Sequence, residues 1–346
     1  MPERIDLTPG DRVLVSRTDK LGDLILALPF IASLKSRYPD CQVDVAASLY
    51  ASPILENHPL VDGIVRVQND QLFTNKLYRR DLRHNLRMAG YKAVVVLFPE
   101  RQISRVYHRV GIPHRLGTGR RFHSVFFNHR LMHSRKANRK HEAEYNLDFL
   151  QFFNDGPTIH EPKVYPTERE LRNARRILQE SGVNEPFVVL HPGSGGSAEN
   201  WPLRRFLELY RLLTEQGMVV IMSGSEAEGK MISEAAMPLG LDIRQVTGQT
   251  DLRTLAALLS LASTVVANST GPLHLAVAVG TPVVGLYPSR RIMSPRRWGP
   301  LGEHNQVIQP DREDCPCPQG ACRCMETIAP AAVARQVEQV FRQALV

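Results

Sequence analysis

Short apolar runs alternate with amphipathic segments along most of the chain, which is the pattern of an α/β fold. The predicted strands cover residues 12–16, 42–47, 63–67 and 92–98, then 187–190, 218–222, 264–267 and 282–286. The predicted helices cover residues 24–37, 77–89, 141–153, 171–180, 202–216, 226–237, 251–261 and 329–345. The run at 92–98 is almost entirely apolar, which predicts a central strand. Residues 115–140 have no such pattern and are predicted to form loops.

A turn-rich segment divides these elements into two series. Asn154-Asp155-Gly156-Pro157, followed by Pro162 and Pro166, is typical of an interdomain linker. Thr167 with Glu170 predicts a capping box at the start of the next helix. The chain has 346 residues, 43% of them hydrophobic, which is enough for about two cores. We therefore predict an N-terminal Rossmann-like domain over 1–160, a second over 161–328 and a terminal helix over 329–346.

Positive charge is concentrated in the first predicted domain. Between Lys76 and Lys140 there are 17 Lys and Arg residues, six histidines and only two acids, Asp81 and Glu100. Such a segment suits a polyanion, whether nucleic acid, lipid headgroup or phosphorylated glycan, although a solvated basic surface is the alternative. No apolar run approaches the roughly 20 residues that span a bilayer, and the first residues lack a signal-peptide pattern. The chain is therefore expected to be cytoplasmic.

Four of the five cysteines lie within ten residues, namely Cys315, Cys317, Cys322 and Cys324. Four thiolates this close together can hold a zinc or iron ion in tetrahedral geometry. Their C-x-C spacing is tighter than that of the usual knuckle, so plain loop cysteines are the alternative. Stable disulfides are not expected in a reducing compartment. Cys41 stands alone in an apolar run and is predicted to be a core residue.

Loops that follow predicted strands hold the candidate chemistry. The first, residues 17–23, places Gly22 and Asp23 at the start of a helix, where the dipole stabilises a carboxylate. Asp23 is either a general base or an ordinary helix-terminal charge. The second loop, residues 191–202, is rich in glycine but matches neither GxGxxG nor the P-loop motif.

The third loop, residues 268–274, lies between a predicted strand and a helix. A helix start offers unpaired backbone N–H groups, which suit a phosphate, although an ordinary capped helix is the alternative. The second and third loops belong to one domain, so both can grip a single pyrophosphate. The candidate donor-binding residues of these two loops are Gly193, Ser194, Gly195, Ser269, Thr270, Gly271 and His274.

Three blocks of the sequence, in this order, resemble glycosyltransferase family 9, the lipopolysaccharide heptosyltransferases. They are RTDKLGDLILALPFIASLKSRYP at 17–39, LHPGSGGSAENWPLRRF at 190–206 and NSTGPLHLAVAVGTPVVGLYPS at 268–289. Cys324-Met325 followed by Ile328 is similar to the closing motif of the family. The resemblance implies the GT-B architecture, two Rossmann-like domains with parallel sheets facing a cleft. The N-terminal domain would bind the acceptor and the C-terminal domain an ADP-sugar.

The resemblance also implies an activity, which is inverting, metal-independent transfer of heptose from ADP-heptose to the lipopolysaccharide inner core. Asp23 falls on the catalytic base of the family, and Thr270 and Gly271 fall on residues whose backbone amides hold the donor phosphates. The phosphorylated acceptor gives the basic domain a use, and the candidate acceptor-binding residues are Arg17, Arg79, Arg83, Arg120 and Arg121. Peripheral association with the inner face of the cytoplasmic membrane is expected. Nucleic acid is not an expected partner, because RNA-binding motifs and interleaved aromatic residues are lacking.

Two positions depart from the family pattern. Glu199 occupies the place, two residues before Trp-Pro, where the family usually has a lysine that neutralises the leaving diphosphate. Arg204 or Arg205 is a hypothetical substitute for that lysine. Ser269 replaces the aspartate that often precedes Thr-Gly. Two alternatives therefore stay open: a GT-B transferase with another nucleotide sugar, and a non-catalytic GT-B protein with a basic RNA- or membrane-binding surface.

Overall fold

A computed structural model of the protein describes residues 4–153, 160–183, 186–196, 198–311, 315 and 323–344. The chain divides into two compact units, Met1–Pro162 and Lys163–Val346. Each unit is built on its own parallel sheet flanked by helices, so the fold class is α/β, as predicted. The predicted linker at 154–157 lies outside the described residues.

The first unit contains a six-stranded sheet in the order β3-β2-β1-β4-β5-β6, in which every neighbouring pair is parallel. Its strands are β1 Arg12–Arg17, β2 Gln42–Ser48, β3 Gly63–Val67, β4 Ala93–Val96, β5 His114–Thr118 and β6 His129–Leu131. Its helices are α1 Leu21–Ile25, α2 Leu28–Arg37, α3 Asn69–Thr74, α4 Lys76–Ala89, α5 Arg101–Val110 and α6 Glu142–Leu147. The strand β4 is completely buried between β1 and β5, which confirms its predicted central position.

Three sequence predictions for this unit are wrong. The predicted helix 24–37 is two helices, because Pro29 has no N–H to donate and starts α2 instead of continuing α1. Residues 115–140 contain β5, β6 and the 3₁₀ helices Phe122–Phe126 and Arg135–Ala137 rather than loops alone. The predicted helix 141–153 is α6 followed by a 3₁₀ helix, Asp148–Phe153.

The second unit contains a five-stranded parallel sheet in the order β11-β10-β9-β7-β8. Its strands are β7 Phe187–His191, β8 Val219–Met222, β9 Thr264–Asn268, β10 Val283–Leu286 and β11 Gln306–Ile308. Its helices are α7 Glu168–Glu180, α8 Leu203–Glu215, α9 Glu226–Ala236, α10 Leu252–Ser260, α11 Gly271–Ala278, α12 Pro295–Trp298 and α13 Pro330–Ala344. The capping box of Thr167 and Glu170 at the start of α7 is confirmed.

The terminal helix α13 is part of the core of the second unit. Its buried residues Val333, Val337 and Phe341 join one apolar cluster with Trp201 and with residues of α8. The Trp201 indole donates a hydrogen bond to the carbonyl of Ile328, just before α13, at 3.1 Å. This packing attaches the end of the glycine-rich loop at Trp201 to the core of the second unit.

Two further sequence expectations bear on the whole chain. Cys41 is 2% exposed, in agreement with its predicted place in the core. Within the described residues, no helix combines the length and the apolar character needed to cross a membrane.

Candidate active site

Asp23 lies just beyond the C-terminal end of β1, a central strand of the first sheet. Parallel sheets bind ligands at this edge, because the loops after their strands converge there. Asp23 is in the first turn of α1, one residue after Gly22. The local sequence therefore positions a carboxylate at a ligand-binding edge.

A buried cation holds Asp23. The guanidinium of Arg17, at the end of β1, donates to the carboxylates of Asp23, Asp19 at 2.8 Å and Glu142 at 3.0 Å. Arg17 is 3% exposed and Glu142 is fully buried at the start of α6, whereas the side chain of Asp23 keeps 14% of its surface exposed. One arginine thus donates hydrogen bonds to three carboxylates, and the side chain of Asp23 remains partly exposed to solvent.

A second arginine and an amide complete this cluster. Arg135 lies 3.4 Å from the Glu142 carboxylate and donates to the Asn146 side-chain oxygen at 3.1 Å. Arg17 donates to the same oxygen at 3.3 Å, and the Asn146 amide donates to the carbonyl of Leu26 at 2.9 Å. The cluster is therefore anchored to the backbone between α1 and α2, next to Asp23.

The charges of this cluster are unequal, with two arginines facing three carboxylates. Burial raises the pKa of the Asp23 carboxyl to about 7; Arg17 opposes this shift, while Asp19 and Glu142 add to it. A buried carboxylate without a full share of a cation retains its proton to higher pH. A general base works best when its pKa lies near the working pH, so Asp23 has the property that this role requires.

The five predicted acceptor-binding arginines lie in different parts of the first unit. Arg17 is buried in the Asp23 cluster, so its first task is to hold Asp23. Arg79 and Arg83 lie on α4, and the Arg79 guanidinium donates to the carbonyl of Leu72 at 2.7 Å. Arg120 and Arg121 are exposed in the segment after β5. Their contact with an acceptor stays a prediction.

The glycine-rich loop of the second unit follows β7 and requires its glycines for two physical reasons. A Cβ at position 193 would overlap the carboxylate of Glu228, which caps α9. Gly195 and Gly196 adopt φ values of +52° and +74°, a region that L side chains rarely occupy. The Ser194 hydroxyl accepts a hydrogen bond from the backbone N–H of Gly196 at 3.2 Å. The loop is thus a backbone-lined turn at the carboxyl end of β7.

His191 ends β7 below this loop and is neutral near pH 7. Burial lowers the pKa of its imidazole to about 4. Its Nδ1 lies 2.9 Å from the Ser223 hydroxyl, a bond that fixes the ring. The protonated side chain is therefore not available at neutral pH to attract an anion.

The helix α11 starts without a side-chain cap among the described residues. Thr270 occupies the N-cap position, but its hydroxyl donates backward to the carbonyl of Asn268 at 3.2 Å. The backbone N–H groups of the first turn are thus not taken by the cap residue, in contrast to α7 and α9. Ser269 hydrogen-bonds the buried phenol of Tyr287, and His274 is buried in the first turns of the helix. Since α1, α2, α3 and α8 also start without a side-chain cap, the anion seat at α11 stays a prediction.

The side chain of Asn268 connects the two loops that are predicted to bind the donor. Its amide donates to the carbonyl of Pro192 at 2.8 Å, and its oxygen accepts from the backbone N–H of Trp201 at 2.9 Å. Both ends of the glycine-rich loop are therefore fixed to the end of β9. The structure thus places the two predicted donor-binding segments side by side.

Glu199, the first position that departs from the family pattern, is buried beside an arginine. Its carboxylate is 7% exposed and lies 3.4 Å from the guanidinium of Arg290, in the segment after β10. Arg204 instead pairs at 2.6 Å with Glu326, in the 3₁₀ helix Cys324–Thr327, and Arg205 pairs at 3.1 Å with Glu208 on α8. The arginine that pairs with Glu199 is therefore Arg290, and the role of Arg204 or Arg205 as a substitute for the lysine stays a hypothesis.

Two of the four clustered cysteines are described. The Sγ atoms of Cys315 and Cys324 lie 3.2 Å apart, and Cys315 is buried. Cys317 and Cys322 lie outside the described residues. Within the part of the chain that the structure describes, no group of three or more His, Cys, Asp or Glu side chains is arranged to hold a metal ion.

Sequence reasoning missed Glu142, Asn146, Arg135 and Arg290. The first two begin and line α6, more than 100 residues from Arg17, so no local pattern connects them to Asp23. Arg290 had a weak signal, since Arg290 and Arg291 directly follow the third family-like block, which ends at Ser289. The sequence could therefore indicate a cation after the strand β10, but it could not indicate that Glu199 is the partner of this cation.

Comparison with known proteins assigns this geometry to a family. Residues 79–327 match the family described as glycosyltransferase family 9 (heptosyltransferase). A candidate glycosyltransferase of Haemophilus influenzae is 30% identical over 309 residues, covering 86% of this chain and 88% of that protein. Lipopolysaccharide heptosyltransferase 2 of Escherichia coli is 26% identical, with the same coverage.

A solved structure agrees with the fold. It is described as the ADP-heptose LPS heptosyltransferase II of Escherichia coli, and it superimposes with a TM-score of 0.78 at 22% identity. The match covers 97% of this chain and 100% of the solved chain. The two parallel sheets with their helices are therefore those of the GT-B fold. The chain belongs to glycosyltransferase family 9, the heptosyltransferase family, and is a sugar-transferring enzyme.

Proposed function

We propose that the protein transfers a heptose from ADP-heptose to the inner core of lipopolysaccharide, with inversion at the anomeric carbon and Asp23 as general base. The observation that carries the proposal is the Asp23 cluster, in which a partly exposed carboxylate with a raised pKa lies at the carboxyl edge of the first sheet. The Escherichia coli relatives named for ADP-heptose and lipopolysaccharide support the choice of donor and acceptor.

The chemistry follows from what these side chains can do. The ionised Asp23 accepts the proton of an acceptor hydroxyl as its oxygen attacks the anomeric carbon of the donor. The bond from that carbon to the diphosphate oxygen breaks, ADP leaves with the electron pair, and Asp23 later returns the proton to solvent. The backbone N–H groups at Thr270 and Gly271 stabilise the charge that grows on the diphosphate. This route needs no metal ion, so added Mg²⁺ should not change turnover.

The transfer assay uses radiolabelled ADP-heptose and lipopolysaccharide that lacks inner-core heptose. Label is expected in the lipopolysaccharide, and NMR of the product should show the anomeric configuration opposite to that of the donor. UDP- and GDP-sugars serve as matched donors. Transfer from one of these instead of ADP-heptose would support the alternative donor. No transfer together with no ADP binding by calorimetry would contradict the proposed activity and favour a non-catalytic protein.

We also propose that the first unit lies on an anionic membrane surface, where a lipid-linked acceptor is found. Phe122 and Met132 are 86% and 65% exposed, and the two segments are joined by a hydrogen bond from Arg120 to the carbonyl of Met132. Val125 is 63% exposed on the same 3₁₀ helix, and Arg121 is exposed beside it. Exposed apolar side chains among arginines are typical of a surface that inserts between anionic headgroups.

Vesicle sedimentation tests the membrane surface. The protein is expected to sediment with phosphatidylglycerol vesicles more than with phosphatidylcholine vesicles, and the double variant Phe122→Ser/Val125→Ser should lose most of this binding. Met231→Ser, at an exposed methionine of the second unit, is the control. Equal binding of the double variant and the control would exclude this surface.

The cysteine cluster is proposed to hold a structural zinc or iron ion. The two described thiols, Cys315 and Cys324, are 3.2 Å apart, close to the roughly 3.8 Å expected for two thiolates on one tetrahedral zinc. Elemental analysis of freshly purified protein should find about one metal ion per chain, lost in Cys315→Ser and kept in Cys41→Ser. Only trace metal in the wild type would discard the site.

A further inference from the structure

A buried ion pair crosses the predicted donor site of the second unit. Arg290 and Glu199 lie 3.4 Å apart, and their side chains are 17% and 7% exposed. Glu199 belongs to the loop after β7, two residues before Trp201, whose backbone N–H is fixed by Asn268. Arg290 belongs to the segment after β10. A charged pair with so little exposure is held by its surroundings rather than by chance contact.

The sheet order tells where this pair lies. β9 is between β10 and β7 in the sheet, and its carboxyl end continues through Ser269 and Thr270 into α11. An arginine after β10 that reaches a glutamate after β7 must therefore pass the end of β9. The backbone N–H of Ser269 donates to the carbonyl of Leu286 at 3.1 Å, which fixes the β9 and β10 segments to each other. The pair thus joins the segments that follow the two strands on either side of β9, the strand that leads into α11.

The charges have different consequences for an anionic ligand. A lone carboxylate at this place would repel a diphosphate, but a paired one holds a cation in position. A guanidinium has five N–H donors in a fixed plane, so it can contact a carboxylate on one edge and phosphate oxygens on another. A lysine in the place of Arg290 could not bridge two such partners with fixed geometry.

We propose that Arg290 binds the donor diphosphate and neutralises the leaving group, and that Glu199 is the positioning residue that aims its guanidinium. This inference rests on the proposed function, because it takes the start of α11 as the diphosphate seat. The family resemblance places the cation that neutralises the leaving group in the loop after β7, whereas Arg290 lies in the segment after β10. Glu199, which stands where the family usually has a lysine, is then compatible with donor binding, because Arg290 supplies the positive charge.

Calorimetry with ADP and with adenosine tests the assignment. Arg290→Gln should weaken ADP binding by about tenfold or more, and adenosine binding should be unchanged because adenosine has no phosphate. Glu199→Gln keeps an acceptor for the guanidinium, so ADP binding should stay within about twofold of wild type or tighten. Glu199→Ala releases the guanidinium and should weaken ADP binding several-fold. Arg176→Gln, at an exposed arginine of α7, is the matched control.

Each contrary result identifies what fails. Unchanged ADP binding in Arg290→Gln would overturn the assignment of Arg290. Equal losses in Arg290→Gln and Glu199→Gln, with adenosine weakened as well, would show a structural latch instead of a phosphate ligand. Wild-type affinity in Glu199→Ala would remove the positioning role. If the wild-type protein binds no ADP, the proposed function itself fails, whereas normal wild-type binding with any of the results above overturns only this inference.

Discussion

The two units use buried charge in opposite ways. In the first, Arg17 and Arg135 face three carboxylates, and the surplus negative charge contributes to the raised pKa of Asp23. In the second, the Glu199 carboxylate lies 3.4 Å from the Arg290 guanidinium. A buried carboxylate near other carboxylates is suited to accept a proton near neutral pH, whereas a carboxylate beside an arginine holds a cation in position. Burial is the largest cause of the raised pKa of Asp23, and the neighbouring carboxylates of Asp19 and Glu142 add to it.

The largest expected effect is on turnover. Asp23→Asn removes the proton acceptor while keeping the size of the side chain, so turnover should fall by about 10²- to 10⁴-fold. ADP affinity should not change, because the donor seat belongs to the other unit. Initial rates and calorimetry on the same preparation measure both quantities. Unchanged turnover would remove Asp23 from the mechanism.

The same substitution should alter stability in a pH-dependent way. The folded pKa of Asp23 is about 7 against an ordinary value of 3.8, so between these values the folded state holds a proton that the unfolded state has lost. Stability therefore falls as pH rises through this window, by at most about 4 kcal/mol. In urea denaturation, Asp23→Asn should come closest to the wild type near pH 4 and exceed it at pH 8. An equal difference at both pH values would contradict the raised pKa of Asp23.

His191 in the second unit should show the reverse dependence. Burial lowers its pKa from 6.5 to about 4, so between these values the unfolded state binds the proton and the folded state does not. Its contribution to stability is present above pH 6.5 and is lost as pH falls toward 4, at most about 3 kcal/mol. His191→Gln should flatten the fall in unfolding free energy between pH 6.5 and 5. His304→Gln, at an exposed histidine, is the control, and an unaltered slope would contradict the burial argument.

The smallest expected effect is on the pH dependence of kcat, and it tests whether neighbouring carboxylates raise the pKa of Asp23. Glu142→Gln removes one of the charges that raise the pKa of Asp23 and leaves two cations facing two carboxylates. The acid limb of the kcat profile should move to lower pH by about one unit. Glu56→Gln, an exposed acid of the same unit, should leave the profile in place. Superimposable profiles for both variants would remove Glu142 from the groups that control Asp23.

Elements with strong local patterns were predictable, and those without them were not. The strand at 93–96 and the capping box at Thr167 follow from apolar character and from hydroxyl and carboxylate spacing, which are local properties. The strands β5 and β6 have five and three residues and include His, Arg and Gly. Such short polar strands form because neighbouring strands satisfy their backbone hydrogen bonds, and the sequence has no direct record of that pairing.

In the candidate site, the loops were predictable from local sequence, whereas the partners of their side chains were not. The loops that carry Asp23, Gly193 and Thr270 were predictable because each follows an apolar strand and begins a helix. Their partners were not, since Arg17 meets Glu142 across 125 positions and Glu199 meets Arg290 across 91. An individual charged residue at such a distance has many possible partners in an unfolded chain, and only the packed structure selects one.

By itself, the sequence determined the α/β class, the family and the candidate loops, because these depend on periodicity and on residues close together in the chain. The tertiary structure alone decided the electrostatic state of those loops. It buried Asp23 near the carboxylates of Asp19 and Glu142 and brought Arg290 within 3.4 Å of Glu199. Burial and distance control the strength of a charge interaction, and both quantities come into existence only when remote segments pack together.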